Sequence, residues 1–334
     1  MKAKVYGQTF LGTMLFCLGC LLTIVPASTV WSQSEYPTRP INILISYTAG
    51  GVVDISTRAL LAKAEKTLGQ PFAATNNGAG GATVATAIVA KQRPDGYNLL
   101  STASAPLVRI PQYRSVPYVL DDLLPIMQHA ATQSGLVVPA NSQFKTLKDL
   151  VDFARKNPGK VTYSTLGVGS AMHMSMEFIA KQEGITWTHV PYPGSMPSVT
   201  AILGGHVTAA STSTEWKPFV QEGRLRLLAT HGEKRMKNFP DVPTLKELGY
   251  DFYNDSTFLI LAPKGTPITV VKKLEAAFHK AYNEPDYQNT LDRIDHAPVY
   301  LNSEDTKKFL ESAYKLNAKW IADLKMPRED DQKK

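Results

Sequence analysis

A strand pattern passes directly into a helix pattern near the start of this chain. The strand pattern is the apolar run Ile41 to Tyr47, and the helix pattern runs from Asp54 until Gly69 and Pro71 stop it. The turn between them reads Y-T-A-G-G-V-V-D, and its glycines let the backbone approach a bound group closely. Because the first N–H groups of a helix have no partner inside it, such a turn attracts anions. The sequence therefore predicts a strand–turn–helix unit with a small-anion site at its turn.

Strand and helix patterns alternate along most of the remaining chain, with three further glycine-containing turns between a strand and a helix. These turns are N-G-A-G-G-A-T from Asn77, L-G-V-G-S-A-M-H from Leu166 and P-Y-P-G-S from Pro191. Such alternation predicts an α/β fold of parallel sheets covered by helices. Ligands bind beyond the C-terminal ends of strands in such sheets, so the turns should face one common cleft. The patterns also predict strands over 72–76 and 225–230 and helices over 147–156, 244–248 and 268–282.

The first residues have the pattern of a secretory signal peptide over 1–32. Lys2 and Lys4 precede the apolar stretch Phe10 to Val25, and Val30-Trp31-Ser32 is an acceptable cleavage sequence. A retained membrane anchor and a lipid anchor at Cys20 are the alternatives. The pattern predicts an exported, periplasmic protein.

The composition narrows the classes of function. Both cysteines, Cys17 and Cys20, lie in the leader, so the mature chain is expected to have no disulfide, thiolate nucleophile or cysteine-bound zinc. The net charge of +7 becomes +5 when Lys2 and Lys4 leave with the leader. The remaining charges are scattered rather than clustered with aromatics, which argues against nucleic acid as a partner. About 300 residues are enough for one large core or two lobes.

The candidate ligand-binding residues lie in and beside the four turns. They are Tyr47, Thr48, Ala49, Gly50, Gly51 and Asp54 in the first turn, Gly78, Ala79 and Gly80 in the second, Ser104 after a strand, Gly169, Ser170 and His173 in the third, and Tyr192, Gly194 and Ser195 in the fourth.

The roles of Asp54, His173 and Tyr192 stay open at this point, whereas Gly51 has one expected role. Asp54 either caps its helix or holds the loop through backbone N–H groups. Gly51 is expected to reject a bulky side chain, which would meet the ligand's oxygens and force a strained φ. His173 either reaches the cleft or serves in capping or packing. Tyr192 either contacts the ligand or packs in the core.

No pattern for catalysis, metal or cofactor stands out. Neither Ser170 nor Ser195 lies in a G-x-S-x-G elbow, and the seven histidines show no H-x-x-x-H spacing. The Gly167 turn lacks the third glycine and the acidic residue of a dinucleotide site. A binding protein without metal or cofactor is therefore expected. Its rival is a serine hydrolase using Ser170 or Ser195 with His173, which needs a serine within about 3 Å of the histidine base.

Five longer stretches together resemble one family over nearly the whole mature chain. They read YPTRPINILISYTAGGVVDISTRALLA, LGQPFAATNNGAGGATVATAIVAKQRPDGYNLL, STLGVGSAMHMSMEFIA, VPYPGSMPSVTAILGGHV and FPDVPTLKELGY, and LAPKGTP also fits. The chain resembles the extracytoplasmic solute receptors of tripartite tricarboxylate transporters, also called Bug proteins.

The resemblance implies a two-lobed periplasmic binding protein of the type II-like Venus flytrap class, with two crossover strands. It implies a first lobe at 34–136 plus 260–334 and a second at 137–259, closing on one small carboxylate. In the family, backbone N–H groups of the first two turns hold the carboxylate, and the third and fourth turns close over it. Membrane permease subunits would be the partner of a monomeric receptor. A receptor that presents its ligand to a signalling system is the alternative.

The chain departs from the family's pattern at two positions. Ala49 stands where the family usually has proline, and Thr208 stands where it usually has aspartate. Neither change removes a backbone N–H group, so the first turn is still expected to bind an anion.

Overall fold

Two β-sheets carry the fold in the computed structural model of this chain, which describes residues 36–192, 194–253 and 256–325. The predicted signal peptide, with both cysteines, lies outside these ranges. The strands are β1 Ile41–Ile45, β2 Phe72–Asn76, β3 Asn98–Ala103, β4 Leu123–Thr132, β5 Ser134–Pro139, β6 Thr162–Thr165, β7 Thr188–Pro191, β8 Ala209–Ser213, β9 Leu225–Thr230, β10 Thr257–Pro263 and β11 His296–Ala297.

Helices cover the sheets, and most of them follow a strand along the chain. They are α1 Val52–Leu68, α2 Thr83–Ala90, α3 Ala105–Val108, α4 Ile110–Tyr113, α5 Leu147–Lys156, α6 Ala171–Glu183, α7 Ser195–Leu203, α8 Lys217–Gln221, α9 Ile268–Tyr282, α10 Pro285–Arg293 and α11 Ser303–Asp323. Within the described ranges, none of these helices is long and apolar enough to cross a membrane.

Both sheets are mixed, so the prediction of purely parallel sheets is wrong. The first sheet has the order β11-β4-β10-β3-β1-β2 and the second β7-β6-β8-β5-β9. The strands that precede glycine turns do pair in parallel, β1 with β2 and β6 with β7. However, β10 is antiparallel to β3, and β5 is antiparallel to β8. The path of the chain explains this arrangement. The chain reaches β5 from the first sheet and β10 from the second, so each of these strands begins at the sheet edge where its neighbours β8 and β3 end, and is therefore antiparallel to them.

The chain crosses between the sheets where β4 gives way to β5, with one residue, Gln133, between them. It returns before β10. The two crossing segments lie side by side, since Thr132 N–H donates to Ser256 O at 2.8 Å. The C-terminal ends of β1 and β6 therefore face the junction from opposite sides. The predicted lobe boundaries at 136/137 and 259/260 stay a prediction.

Local signals account for several element boundaries. Thr146 caps α5, accepting from Asp149 N–H at 3.2 Å, and the predicted helix 147–156 is confirmed. α1 ends where Gly69 takes a left-handed φ of 70° and donates to Glu65 O. The predicted helix at 244–248 is wrong. Thr244 instead forms an isolated bridge with Thr230, followed by hydrogen-bonded turns, because Gly249 with its φ of 89° stops the segment.

The C-terminal helix α11 contributes to the cores of both sheets. Leu310 belongs to the cluster that includes Leu259 of β10 in the first sheet. One end of the same helix places Trp320 in the core of the second sheet, with its ring 4.4 Å from that of Phe252. α11 therefore packs on both lobes beside the crossing segments.

Candidate functional site

A cavity of about 660 Å³ lies where the two sheets face each other. The β1–α1 turn, the ends of β3 and β4, and the residues around β11 line it from the first sheet. The start of α7, the end of β8 and the start of α8 line it from the second. The lining residues are Tyr47, Thr48, Gly51, Val52, Val53, Ala103, Thr132, Met196, Ser213, Thr214, Glu215, Pro218, Phe219, Ser256, Phe258, Arg293, Ile294, Asp295 and His296.

The β1–α1 turn presents an uncapped helix start to this cavity. Gly51 is the N-cap of α1, with extended backbone, and no side chain caps the helix there. Val52 and Val53, the first two helical residues, line the cavity. Their N–H groups have no acceptor within the helix, because an α-helix satisfies none of its first four donors. The turn therefore offers the positive end of α1 to a bound anion.

The left-handed backbone conformation of this turn occurs at Gly50 rather than at Gly51. Gly50 has a φ of +76°, whereas Gly51 has a φ of −75°, so the expectation of a strained φ at Gly51 is wrong. A Cβ at Gly51 would instead lie 3.2 Å from Thr48 O. The crowding expected for a larger residue at Gly51 thus has a geometric basis, and the left-handed conformation belongs to its neighbour.

Asp54 holds the turn in place. Its carboxylate accepts from Gly50 N–H at 2.9 Å, from Asn76 Nδ2 at 2.9 Å and from Arg58 Nε at 2.7 Å. Burial raises the pKa of Asp54, but these three hydrogen bonds outweigh burial and bring the pKa below its usual value. Of the two roles considered for Asp54, the structure shows the loop-holding one. The paired charge also leaves less repulsion toward an anion at the turn.

Tyr47 begins the turn with a hydroxyl that stays protonated. Burial raises the pKa of Tyr47 to about 12, although the charge of Arg109 opposes this shift. The phenol is therefore a hydrogen-bond donor at neutral pH. Arg109 is itself buried and adds positive charge on the Tyr47 side of the cleft.

The second turn supports the first and does not line the cavity. A Cβ at Gly78 would lie 3.2 Å from Thr48 N, so the two turns pack closely. Ala79 N–H donates to Asn77 Oδ1 at 3.1 Å, and Gly80 O accepts from Arg114 Nη2 at 2.6 Å. Ser104 is also away from the cavity, since it is buried and accepts from Thr257 N–H at 3.2 Å.

The third turn uses its hydrogen-bonding groups internally. Gly169 N–H donates to His173 Nδ1 at 3.2 Å. Ser170 caps α6, since its hydroxyl accepts from His173 N–H at 3.2 Å and donates to Gly167 O at 2.8 Å. The His173 ring stacks on His189 at 4.1 Å between centroids, and burial lowers the pKa of His173 to about 4. His173 therefore serves in packing and in holding the turn.

The fourth turn reaches the cavity through its neighbours. Met196 lines the cavity, whereas Gly194 N–H donates to Tyr192 O at 2.9 Å, and Tyr192 packs against the hydrophobic cluster around Trp216. Ser195 Oγ donates to Glu215 Oε2 at 2.5 Å. Within the described residues, neither the Ser170 nor the Ser195 hydroxyl bonds to the His173 ring. The arrangement that the hydrolase hypothesis requires is thus not present there.

Of the predicted residues, Tyr47, Thr48 and Gly51 line the cavity itself. Ala49, Gly50 and Asp54 belong to the same turn but do not line it. Sequence reasoning missed Glu215, Phe219, Arg293 and His296. Glu215 follows the end of β8 by two residues, so the rule that sites lie beyond strand ends would have found it. The segment before the two-residue strand β11 carried no such signal.

In the described part of the chain, no group of three or more histidine, cysteine, aspartate or glutamate side chains is arranged to hold a metal ion. The polar groups around the cavity are hydroxyls, an open helix start and a few charged side chains. This arrangement suits the binding of a small polar molecule.

The chain has the two-lobed fold of periplasmic binding proteins: a TctC solute-binding protein from Polaromonas superposes with a TM-score of 0.80 at 27% identity, covering 86% of this chain and 99% of that one. Rhodopseudomonas palustris Rpa4515, solved with adipate, gives a TM-score of 0.70 at 26% identity, with coverages of 86% and 98%.

Sequence comparison agrees with the structural one. A protein from the gbd 5′ region of Cupriavidus necator is 40% identical over 295 residues, which are 88% of this chain and 89% of that protein. Bordetella pertussis BugT is 32% identical over 305 residues, with coverages of 89% and 93%. The tripartite tricarboxylate transporter family receptor (TctC) matches residues 56–326.

This chain belongs to the tripartite tricarboxylate transporter receptor family, and the resemblance to Bug proteins is confirmed. Receptors of this family are periplasmic solute-binding proteins. They bind small carboxylates and work with tripartite transporters.

Proposed function

We propose that this chain binds one small organic carboxylate in its interlobe cavity, without altering it, and delivers it to the membrane subunits of a tripartite tricarboxylate transporter. The observation that carries the proposal is the uncapped start of α1, with Gly51 and Val52 lining the cavity. The signal peptide over 1–32 is part of this proposal, because delivery to a membrane transporter from outside the cytoplasm requires export.

The energetics favour an anion at this position. An open helix start contributes roughly 0.3–2 kcal/mol to a bound anion, depending on burial. Each hydrogen bond between an N–H or O–H donor and a carboxylate contributes about 1.5–3 kcal/mol. The α1 start, the Tyr47 hydroxyl and the Thr48 hydroxyl together supply several such donors. Micromolar affinity, which corresponds to about −8 kcal/mol, is therefore within reach of the site.

The relatives support a carboxylate rather than another anion. Rpa4515 was solved with adipate, which is a dicarboxylate, and it shares the fold at 26% identity. The β1–α1 turn would bind an anion through backbone N–H groups, and Ala49 in place of the family's usual proline leaves these groups unchanged. We therefore propose that the anion bound by this chain is a carboxylate.

We propose that the lobes are 34–136 plus 260–334 and 137–259, and that ligand binding brings them together about the paired crossing segments. Closure would remove water from the carboxylate and strengthen its hydrogen bonds. A ligand drives such closure only if it binds the closed form more tightly. Small-angle scattering with saturating ligand should then show a smaller radius of gyration than the free protein shows.

The test of the proposed function is a calorimetric screen of mono-, di- and tricarboxylates, aliphatic and aromatic, followed by recovery of the ligand. At least one carboxylate should bind at micromolar concentration and be recovered unchanged after long incubation. Binding of neutral sugars or cations only, or chemical conversion of the ligand, would contradict the proposal.

Two variants of α1 locate the site within the protein. Gly51→Val places a branched side chain between the ligand and the open helix start, and should weaken binding by about 100-fold or more. Gly69→Val is the control at the other end of the same helix. Because Gly69 has a left-handed φ of 70°, this variant should be less stable than the parent but should bind the ligand with the same affinity. Equal affinity in the parent and Gly51→Val proteins would show that the β1–α1 turn is not the binding element.

A further inference from the structure

Glu215 places a carboxylate on the wall of the cavity that the second sheet provides. It follows the end of β8 by two residues and lines the cavity together with Ser213 and Thr214. The uncapped start of α1 lines the same cavity from the first sheet. An acidic side chain is not what a site for two or three carboxylates would be expected to contain.

A chain of hydroxyl groups fixes one oxygen of this carboxylate. Ser195 Oγ donates to Glu215 Oε2 at 2.5 Å and lies 2.6 Å from Thr212 Oγ1. Because the single Ser195 proton is committed to Glu215, Thr212 must be the donor in the second contact. Glu215 Oε1 has no hydrogen-bond partner among the described residues. One carboxylate oxygen is thus held in place, and the other remains able to accept from a ligand.

No neighbouring cation compensates this charge within the described residues. Asp295, the other acidic residue of the lining, is already paired with Lys217. Burial lowers the pKa of His296, although its hydrogen bond to Ile294 O and the charges of Asp295 and Glu215 oppose this shift, so the net effect favours the neutral ring. Arg293 directs Nη2 to Thr290 Oγ1 at 3.0 Å and makes no ion pair with Glu215.

The charges of the cavity are therefore separated by lobe. Arg293 belongs to α10, which packs on α1, so its positive charge lies on the same lobe as the helix start. The negative charge of Glu215 lies on the other lobe. The remaining wall is largely apolar, from Val52, Met196, Phe219, Phe258 and Ile294. Glu215 and Arg293 are both exposed, so water screens their charges until a ligand held between the apolar walls displaces it.

We infer that the ligand is a monocarboxylate whose other end carries a hydrogen-bond donor, a hydroxyl or an ammonium group, and that Glu215 accepts from this group and excludes di- and tricarboxylates. The inference rests on the proposed function and specifies its ligand class. The first carboxylate meets the α1 start, and the apolar walls contact the middle of the ligand. A second carboxylate would be placed against Glu215, and such like-charge contacts weaken binding strongly.

Two ligand series of matched length test the inference by calorimetry. The aliphatic series is succinate, 4-hydroxybutyrate and 4-aminobutyrate. The aromatic series is terephthalate, 4-(hydroxymethyl)benzoate and 4-(aminomethyl)benzoate. Within at least one series, the hydroxy or amino acid should bind about 10-fold or more tightly than the dicarboxylate.

Glu215→Gln removes the charge and keeps an oxygen that can accept from Ser195. In this variant the preference should fall to about 3-fold or less, mainly because the dicarboxylate binds more tightly. Glu222→Gln is the matched control. Glu222 is exposed on the same lobe, lies 3.6 Å from Arg224 and is not part of the cavity lining. This control changes the net charge equally and should keep the parental preference.

The results separate this inference from the proposed function. If neither series shows this preference, or if a di- or tricarboxylate of the wider screen is the ligand that the parent protein binds most tightly, the inference is wrong while the proposed function stands. An unchanged preference in Glu215→Gln would also overturn the assignment to Glu215. If no carboxylate from these series or from the wider screen binds, the proposed function fails, and the inference fails with it.

Discussion

The β1–α1 turn and the β6–α6 turn look alike in sequence but differ in what they leave for a ligand. Both place glycines between a strand and a helix. In the first, Gly51 leaves the start of α1 uncapped at the cavity. In the second, Ser170 caps α6 and Gly169 N–H donates to His173. The β1–α1 turn therefore has N–H groups that are free to bind a ligand, whereas most hydrogen-bonding groups of the β6–α6 turn are already paired within the turn.

The difference comes from where the nearest acceptors lie. In the first turn, the acidic side chain Asp54 accepts from Gly50 N–H but lies buried behind the turn, tied to Asn76 and Arg58. It holds the loop without covering the helix start. In the β6–α6 turn, Ser170 and His173 lie on the turn itself. A glycine turn before a helix thus becomes an anion site only when no neighbouring side chain satisfies the helix donors.

The largest expected effect on stability comes from replacing Asp54, which holds the β1–α1 turn in place. Asp54→Ala removes a buried carboxylate and leaves Gly50 N–H, Asn76 and Arg58 without their acceptor. The free energy of unfolding should fall by about 2–4 kcal/mol, measured by urea denaturation at pH 7.

Acid should reduce this effect of Asp54. Its pKa is lowered in the folded protein, so its contribution is present above the unfolded pKa of about 4 and is lost as pH falls through the folded value. The difference between parent and Asp54→Ala should therefore shrink below about pH 4. A difference that stays constant down to pH 2 would mean that the charge of Asp54 contributes little.

The stack of His173 on His189 should give the β6–α6 turn a pH dependence of its own. Burial lowers the pKa of His189 to about 4, and His173 and Glu177 are its charged or titratable neighbours. The unfolded state then binds more protons, so stability is full above about pH 6.5 and falls as pH drops toward 4.

His189→Phe keeps a ring on the stack and removes this titration. Between pH 7 and pH 5 the parent should lose about 2 kcal/mol more unfolding free energy than the variant. His173 stacks on His189, so the difference reports the titration of His189 together with its coupling to His173, whereas the buried histidines elsewhere act equally in both proteins. Equal losses in the two proteins would show that His189 does not titrate between folded and unfolded states in this range.

A smaller effect is expected from exchanging the caps of the two turns. Gly51→Ser gives α1 the kind of cap that Ser170 gives α6, and Gly51 already has the extended backbone that an N-cap residue adopts. Affinity for a carboxylate should fall by about 10-fold, because the serine oxygen takes a donor that the ligand needs.

Ser170→Ala is the reciprocal change. It should cost about 1 kcal/mol of stability and alter affinity by less than about 2-fold. If Ser170→Ala weakens binding as much as Gly51→Ser does, the two turns are equivalent and the contrast between them is wrong.

Local sequence signals determined much of the fold. Strands 72–76 and 225–230 and helices 147–156 and 268–282 were predicted with the observed bounds, because alternating or 3.6-residue patterns and flanking glycine, proline or capping residues define them. The first turn was likewise evident from its own residues. The two-lobed fold followed from the family resemblance.

Tertiary structure decided how the turns are used and what else enters the cleft. Strand direction depended on chain crossings at Gln133 and before Thr257, which have no local signature. Glu215 and Arg293 meet in one cavity because two sheets face each other, although the residues are far apart in the chain. A residue pattern determines which hydrogen-bond donors a segment has. Only the packed structure determines which of them are already paired, since their acceptors come from whatever side chains the fold brings near.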